Sequence, residues 1–323
     1  MKRIRALTFA TYYLLIIAVA IFGARMLVIF LNLTSCGGKT LAHLLFLPLL
    51  LHPQLFRNSR NSHMKFREYS NGKIIAYVLN MDKATARLKD VMTGISRLGL
   101  PFERISAIDG SLLSKKYIES IADMETYKKY FRMLPEVGTI GCALSHEKAW
   151  RKFLESDNEF AVIFEDDACF APHELYETIN SLVRKKNLWD VVGFELNHHG
   201  HPLKIASLPN GKFLAAYLTD VRHASCYLIN RSAARKLLEK FYPIKMPVDH
   251  YYTAFWEFNF KFAGVEPRIV KQKSQPSQIK SSSDLVLKST ICAANVIYKI
   301  QRAVLQLMYG FFYFLLGNSY GEE

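Results

Sequence analysis

The sequence predicts an α/β protein. An open, mostly parallel sheet flanked by helices is set between an N-terminal hydrophobic membrane arm and a C-terminal amphipathic helix. Three observations predict it. Short β-branched apolar runs alternate with helical patterns between residues 68 and 280. The first two runs are joined through one helix, and a βαβ unit of that kind pairs its strands in parallel. Charge is uneven: residues 1–67 carry nine Lys or Arg and no Asp or Glu, out of a net +14 for the 323-residue chain. The segments are therefore an arm at 1–63, a globular domain at 68–280 and a helix at 284–318.

Within the arm, Leu7 to Leu33 is apolar with Arg25 as its only charge, long enough to span a bilayer. Lys2, Arg3 and Arg5 precede it and favour a cytoplasmic N-terminus. A polar break from Thr34 to Thr40 leads to a second apolar run, Leu41 to Leu51, too short to span alone. A single span would put the domain outside the cytoplasm; a hairpin or shallow anchor would leave it inside. Met64 stands just ahead of the first strand as a second possible start of translation, which would leave the arm out of the protein.

Ile74 to Leu79 reads as a buried strand, Ala84 to Leu98 as a helix stopped at Gly99, and Phe102 to Ile108 as a second strand closed by Asp109-Gly110. Gly141 to Ser156 reads as a helix and Phe160 to Phe164 as a third strand. Asp190 to Leu196 and Ala224 to Ile229 follow as strands, and Ser232 to Lys240 as a helix. Lys271 to Ser283 is a Lys-, Ser- and Gln-rich linker. In the last segment, Leu285 to Met308, the polar residues Lys288, Asn295, Lys299, Arg302 and Gln306 fall on one stripe of an otherwise apolar helix. Such a helix fits a membrane interface or a packed protein surface equally well.

Composition excludes several classes. Outside the two ends the domain holds only +5, and no helix-turn-helix, zinc-finger or RNA-recognition pattern occurs, which argues against nucleic acid. The basic, apolar arm points to an anionic membrane instead. The five cysteines are widely spaced with no CxxC pair, so they form neither a disulfide framework nor a structural zinc site.

Glu165-Asp166-Asp167 directly follows the apolar strand FAVIF. Three carboxylates at a strand end repel each other until a cation, amide donors or protons neutralise them. A hard divalent ion with a nucleotide diphosphate would fit there; a solvated acidic turn is the plainer alternative. Asp249-His250, followed by aromatics, offers a general base or a metal ligand, or simply a helix start over a packed core. Ser145-His146 lacks the GxSxG elbow of a serine hydrolase.

Several blocks in order, IIAYVLNMDKATARL, LPFERISAIDG, GTIGCALSHEKAW, FAVIFEDDA, HASCYLINRSAARKLL and PVDHYY, resemble glycosyltransferase family 25. These are the lipooligosaccharide and lipopolysaccharide glycosyltransferases, related to collagen galactosyltransferase domains. The likeness runs over about residues 73–272. It implies a GT-A fold, a UDP-sugar donor, Mn²⁺ or Mg²⁺ held by an acidic motif, and transfer with inversion. On matching positions it implies Asp167 as metal ligand, with Glu165 and Asp166 on the metal or ribose. Asn80 and Arg87 would line the nucleotide side, Ala107, Asp109 and Gly110 the base or ribose, and Ser145 and His146 the diphosphate. Asp249 is the first candidate for general base and Glu195 the second. The second arginine usual after the first strand of this family is here Leu88. The expected partners are a nucleotide-sugar donor, a lipid-linked oligosaccharide acceptor and the membrane. The expected place is the cytoplasmic face of a bacterial inner membrane, or a lumen if the arm is a single span.

Overall fold

The computed structural model describes residues 73–131, 134–197, 202–222, 225–273 and 293–318. The arm at 1–63, and the parts of the linker and last segment at 274–292, lie outside the described residues. Among the described residues no helix is long and apolar enough to cross a membrane.

The chain begins with β1 (Ile74–Asn80), α1 (Thr85–Ile95), β2 (Phe102–Ser106), α2 (Lys115–Ile121), α3 (Met124–Phe131) and the long α4 (Val137–Glu155). Next come β3 (Phe160–Glu165), β4 (Ala168–Phe170), α5 (Pro172–Arg184) and β5 (Val191–Gly193). Then follow β6 (Pro202–Ser207), β7 (Phe213–Tyr217), β8 (Cys226–Asn230), α6 (Arg231–Glu239), α7 (Val248–Thr253) and α8 (Phe255–Phe258). β9 (Phe262–Glu266), β10 (Val270–Gln272) and α9 (Ala293–Asn318) complete it.

The main sheet has eight strands in the order β2-β1-β3-β8-β5-β9-β7-β6. β1 pairs in parallel with β2 and β3, as β5 does with β9; the remaining neighbours are antiparallel. Followed through these pairings, six of the eight strands run one way, and only β8 and β7 oppose them. The protein is therefore an α/β fold around a mixed sheet with helices packed against it.

β1 and β3 read as unbroken apolar runs because they are central and covered on both faces; every residue of β3 but Glu165 is buried. From β1 the chain crosses to β2 on one side and then returns, through α4, to β3 on the other side. Connections leaving a strand in opposite directions open a crevice at the carboxyl ends of those strands. That crevice holds the candidate site.

α4 starts one turn before the Gly141 that the sequence suggested. Glycines on both sides of this junction allow close approach: a Cβ on Gly141 of α4 would lie 2.6 Å from Ile108 O, and one on Gly110, after β2, would lie 1.8 Å from Val137 O. The helix start thus packs backbone to backbone on the loop after β2. Its far end is closed by Arg231, whose Nη1 donates to the carbonyls of Ser156 at 2.6 Å and Asn158 at 3.0 Å. Its Nη2 donates to Leu154 O at 2.7 Å. A cation suits that position because carbonyls are left over at a helix C-terminus.

The sequence reading has no strand for β4, β6, β7 or β9 and no helix for α2, α3 or α5, and two segments it does name take a different place. The linker's first residues complete strand β10, which pairs antiparallel with β4 (Gln272 opposite Ala168), because Ile269 and Val270 are buried and draw the chain onto the domain. Two residues of the last helix's polar stripe, Arg302 and Gln306, face inward at 7% and 1% exposure, while Lys299 is exposed.

Candidate active site

A cleft of about 500 Å³ opens at the carboxyl ends of β1, β2 and β3, a volume suited to a small-molecule ligand. Asn80 and Met81 line it from β1, and Ala107 to Gly110 from the loop after β2. Glu165 to Asp167 line it from β3, Gln272 and Lys273 from β10. α4 contributes Gly138, Cys142, Ser145 and His146, one face at helical spacing.

The three carboxylates have separate surroundings. Asp166 is spoken for: Asn80 Nδ2 donates to its Oδ2 at 2.8 Å, and Arg87 Nη1 to its Oδ1 at 3.2 Å. Asn80 is in turn held by Arg104 Nε, which donates to its Oδ1 at 3.1 Å. So Asn80 and Arg87 line the cleft and also fix Asp166.

Asp167 is buried at 9% exposure. Gln272 Nε2 donates to its Oδ2 at 2.8 Å, and Lys273 N to its main-chain oxygen at 2.9 Å. Its Oδ1 is buried with no hydrogen-bond partner. Burial, and then the charge of Glu165, push the Asp167 carboxyl up to about 6. An unbonded buried carboxylate oxygen beside a second carboxylate is a defect that a cation would repair. The residues therefore fit the divalent ion that the acidic motif calls for, with Asp167 and Glu165 as hard oxygen donors.

Glu165 closes a chain of buried hydrogen bonds. Trp150 Nε1 donates to Tyr227 Oη at 2.8 Å. Tyr227 Oη meets His146 Nδ1 at 2.8 Å, and His146 Nε2 meets Glu165 Oε1 at 3.2 Å. Tyr227 has one proton to give. Donating it to Nδ1 leaves the imidazole proton on Nε2, aimed at the carboxylate. Cys142 Sγ lies 3.8 Å from the same oxygen, and its thiol is pushed up by burial and by Glu165. Cys142, His146 and Glu165 bring ligand atoms within 4.8 Å of one another. In this tautomer His146 Nε2 donates to Glu165 and offers no lone pair to a metal, so the trio is a hydrogen-bonded support for Glu165.

Ser145 lines the cleft, but its hydroxyl is engaged by the fold: Ile108 N donates to Oγ at 2.8 Å, and Oγ donates to Gly141 O at 2.7 Å. Asp109 caps the short 3₁₀ turn Gly110–Leu112. Hydrogen bonds from Lys83 and Ser111 pull its carboxyl down to about 2.

Asp249 and Glu195 do not line this cleft. Asp249 is half-buried in the first turn of α7, near enough for its charge to raise the Cys142 thiol. Glu195 is buried after β5, accepts from Ser225 Oγ at 3.0 Å, and lies 4.0 Å from Arg268. His250 points the other way, to Arg302 of α9. The sequence reading did not include Gln272, Lys273, Cys142 or Tyr227. Gln272 and Lys273 sit in a polar run with no periodic signal, and only the β10–β4 pairing brings them to Asp167.

Residues 73–252 match the family model described as glycosyltransferase family 25 (LPS biosynthesis protein). A "Glycosyltransferase 25 family member" from Aedes aegypti is 28% identical over 190 residues, covering 54% of this chain and 30% of that protein. "Procollagen galactosyltransferase 1-B" from Xenopus laevis is 23% identical over 215 residues, covering 60% and 35%. The chain thus spans about a third of the length of these curated relatives. A solved glycosyltransferase involved in the glycosylation of the major capsid of PBCV-1 overlaps 56% of this chain and 65% of its own, at 12% identity. Its TM-score of 0.27 is too low to support an argument. The family model covers more than half of the chain and takes in the strand ends, the start of α4 and the acidic motif that build the cleft, and the chain belongs to glycosyltransferase family 25.

Proposed function

We propose that this chain is an inverting hexosyltransferase that moves galactose from UDP-galactose to a lipid-linked glycan, as in lipooligosaccharide synthesis, at the cytoplasmic face of a bacterial inner membrane. The observation that carries the catalytic part is Asp167 Oδ1, buried and unbonded at the floor of a cleft at the strand ends. The family description supports a lipopolysaccharide acceptor, and the name of the Xenopus laevis relative supports galactose.

In this reading Asp167 and Glu165 hold Mn²⁺ or Mg²⁺, which supplies positive charge for a departing diphosphate. Asn80, Arg87 and Asp166 form a fixed wall on the nucleotide side, and Asp109 with Gly110 the ribose side. The amide end of α4 near Gly138 faces the same space and favours anions. The acceptor oxygen attacks the anomeric carbon, and the bond to the diphosphate oxygen breaks with its electron pair. A carboxylate takes the hydroxyl proton, help worth ~10²–10⁴-fold in rate. Asp249 is assigned that part and Glu195 is the alternative; both lie outside the cleft lining, so either would act only on an acceptor bound beyond it.

A second reading, a lumenal enzyme with a protein acceptor, is favoured by the procollagen relative. A third is a scaffold without activity. Calorimetry of UDP binding with and without Mn²⁺ tests the donor site first. The expected result is metal-dependent binding that Asp167→Asn abolishes. Absence of UDP binding with any metal would move the assignment to the scaffold. Offering lipooligosaccharide and collagen peptide in parallel with UDP-galactose then separates the acceptors. Protease digestion of sealed vesicles reports the side of the membrane.

A further inference from the structure

α9 wears its chemistry inside out. Arg302, Gln306, Tyr309 and Tyr313 recur at helical spacing and are all buried against the domain. Their donor atoms are used there, while Gln306 Oε1 is buried without a hydrogen-bond partner. Arg302 Nη2 donates to Asp220 Oδ1 at 2.7 Å, and Nη1 meets His250 Nδ1. Gln306 Nε2 donates to Tyr217 O at 2.8 Å, and Tyr309 Oη to Phe260 O at 3.1 Å. The Tyr313 hydroxyl donates to Leu188 O. With those side chains fixed inward, Val296, Ile300, Phe312 and Leu315 remain 39–49% exposed. A surface helix of a water-soluble domain ordinarily buries its apolar side and shows its polar one.

The charges around this face select its partner. Residues 293–318 contain no Asp or Glu. Lys299 is exposed on the flank of α9, and Lys128 and Lys129 are exposed in the last turn of α3. α3 lies alongside α9, with Tyr130 stacked on Tyr298 at 4.3 Å between ring centres. An apolar helix face bordered by lysines matches an anionic bilayer surface, where side chains enter the acyl boundary and cations meet headgroups. The chain ahead of the described residues has the same character, with nine cations, no acids and a long apolar run in residues 1–67.

We propose that the outer face of α9 seats in the headgroup–acyl boundary of an anionic bilayer, with Lys128, Lys129 and Lys299 against the headgroups. This deepens the lipid-acceptor reading and rests on it for its purpose, though not for its test. Arg302 also donates to Thr253 Oγ1 at 3.2 Å, so α9 is bolted to α7, the helix that carries Asp249. The seat is thereby rigid with the catalytic domain and would hold the cleft at a fixed attitude to the membrane.

The test places benzoylphenylalanine, a photoreactive side chain, at Ile300 or Phe312 of the full chain. Phe102 is the control: it is exposed at the start of β2, on the opposite sheet edge from β6 and β7, on which α9 packs. The protein is irradiated with vesicles of phosphatidylglycerol and phosphatidylcholine carrying a radiolabelled acyl chain. Lipid adducts at positions 300 and 312, none at 102, and a several-fold drop in pure phosphatidylcholine are expected. Adducts to the chain's own N-terminal arm or to a second copy would overturn the proposal. So would flotation with the vesicles, or failure to float, without lipid adducts at either position. UDP binding in the same preparation is read separately, so the donor-site reading and the membrane seat can fail independently.

Discussion

A buried carboxylate with one oxygen unbonded weakens the fold that contains it, because its charge has lost water without gaining a partner. Asp167 is in that position, and its carboxyl is pushed up to about 6 from the ordinary 3.8. A raised carboxylate value means that the ionised form is the costly one in the folded state. Removing the charge should therefore stabilise the metal-free protein. We expect Asp167→Asn to raise metal-free stability at pH 7 by about 3 kcal/mol, read as a higher urea midpoint, in the same variant that loses UDP binding. A lower midpoint would mean that the carboxylate is satisfied in solution by protein groups. Part of this was legible: an acidic run after an apolar strand announces a charge problem. That Asp166 has both oxygens bonded and Asp167 only one was illegible. The pairing depends on Asn80 and Arg87, 86 and 79 residues away, and on Gln272, 105 residues away.

Elements were legible where burial is two-sided and local. IIAYVLN and FAVIFE are unbroken apolar runs because their strands are central. β6, β7 and β9 are short; β6 and β7 form a local hairpin, but the hairpin joins the sheet only through the distant β9, so PLKIAS, FLAAY and FAGVE give little signal alone. The stripe on α9 was legible as a stripe, but not the inward direction of Arg302 and Gln306, which are bound to groups from other elements. The Arg302 contact makes that direction testable. Breaking a buried ion pair from one side leaves the partner uncompensated and costs about 3–5 kcal/mol. Asp220 is 34% exposed in its side chain and keeps Arg222 Nε at 2.9 Å, so water and that second arginine relieve part of this. We expect Arg302→Met to cost about 3 kcal/mol in denaturant unfolding; a loss under 1 kcal/mol would deny α9 its polar anchor. The same contact sets a pH dependence. Burial pushes His250 down to about 4 from 6.5, with Asp249 opposing and Arg302 assisting. As pH falls, the unfolded chain protonates first, so this contribution is intact above 6.5 and is lost between 6.5 and about 4. His250→Asn should flatten the stability profile across that window; an unchanged profile would assign the acid sensitivity to other groups.

At the scale of the whole molecule, the segment that resembles known proteins and the segment that can fold have different ends. The family match stops at Tyr252, at the close of α7's aromatic run. β9 comes later in the chain but lies between β5 and β7 in the sheet. A chain ending at Tyr252 would lack an internal strand, exposing unpaired N–H and C=O groups on both neighbours. It would also lack Gln272, and with it the donor to Asp167 Oδ2. Ending at Lys273 restores the strand but removes α9. Tyr217 O, Phe260 O and Leu188 O would then lose their donors, and Asp220 one of its two arginines. We therefore expect three outcomes from limited proteolysis and amide-proton dispersion. A chain of residues 73–252 should be unfolded. Residues 73–273 should be compact but cleaved readily around β6 and β7, where α9 has left the sheet uncovered. Only a chain reaching Asn318 should resist protease and bind UDP with metal. If residues 73–252 alone gave a protease-resistant, dispersed spectrum, the sheet order found here would be wrong for that fragment, because no eight-stranded arrangement with β9 inside could survive its loss.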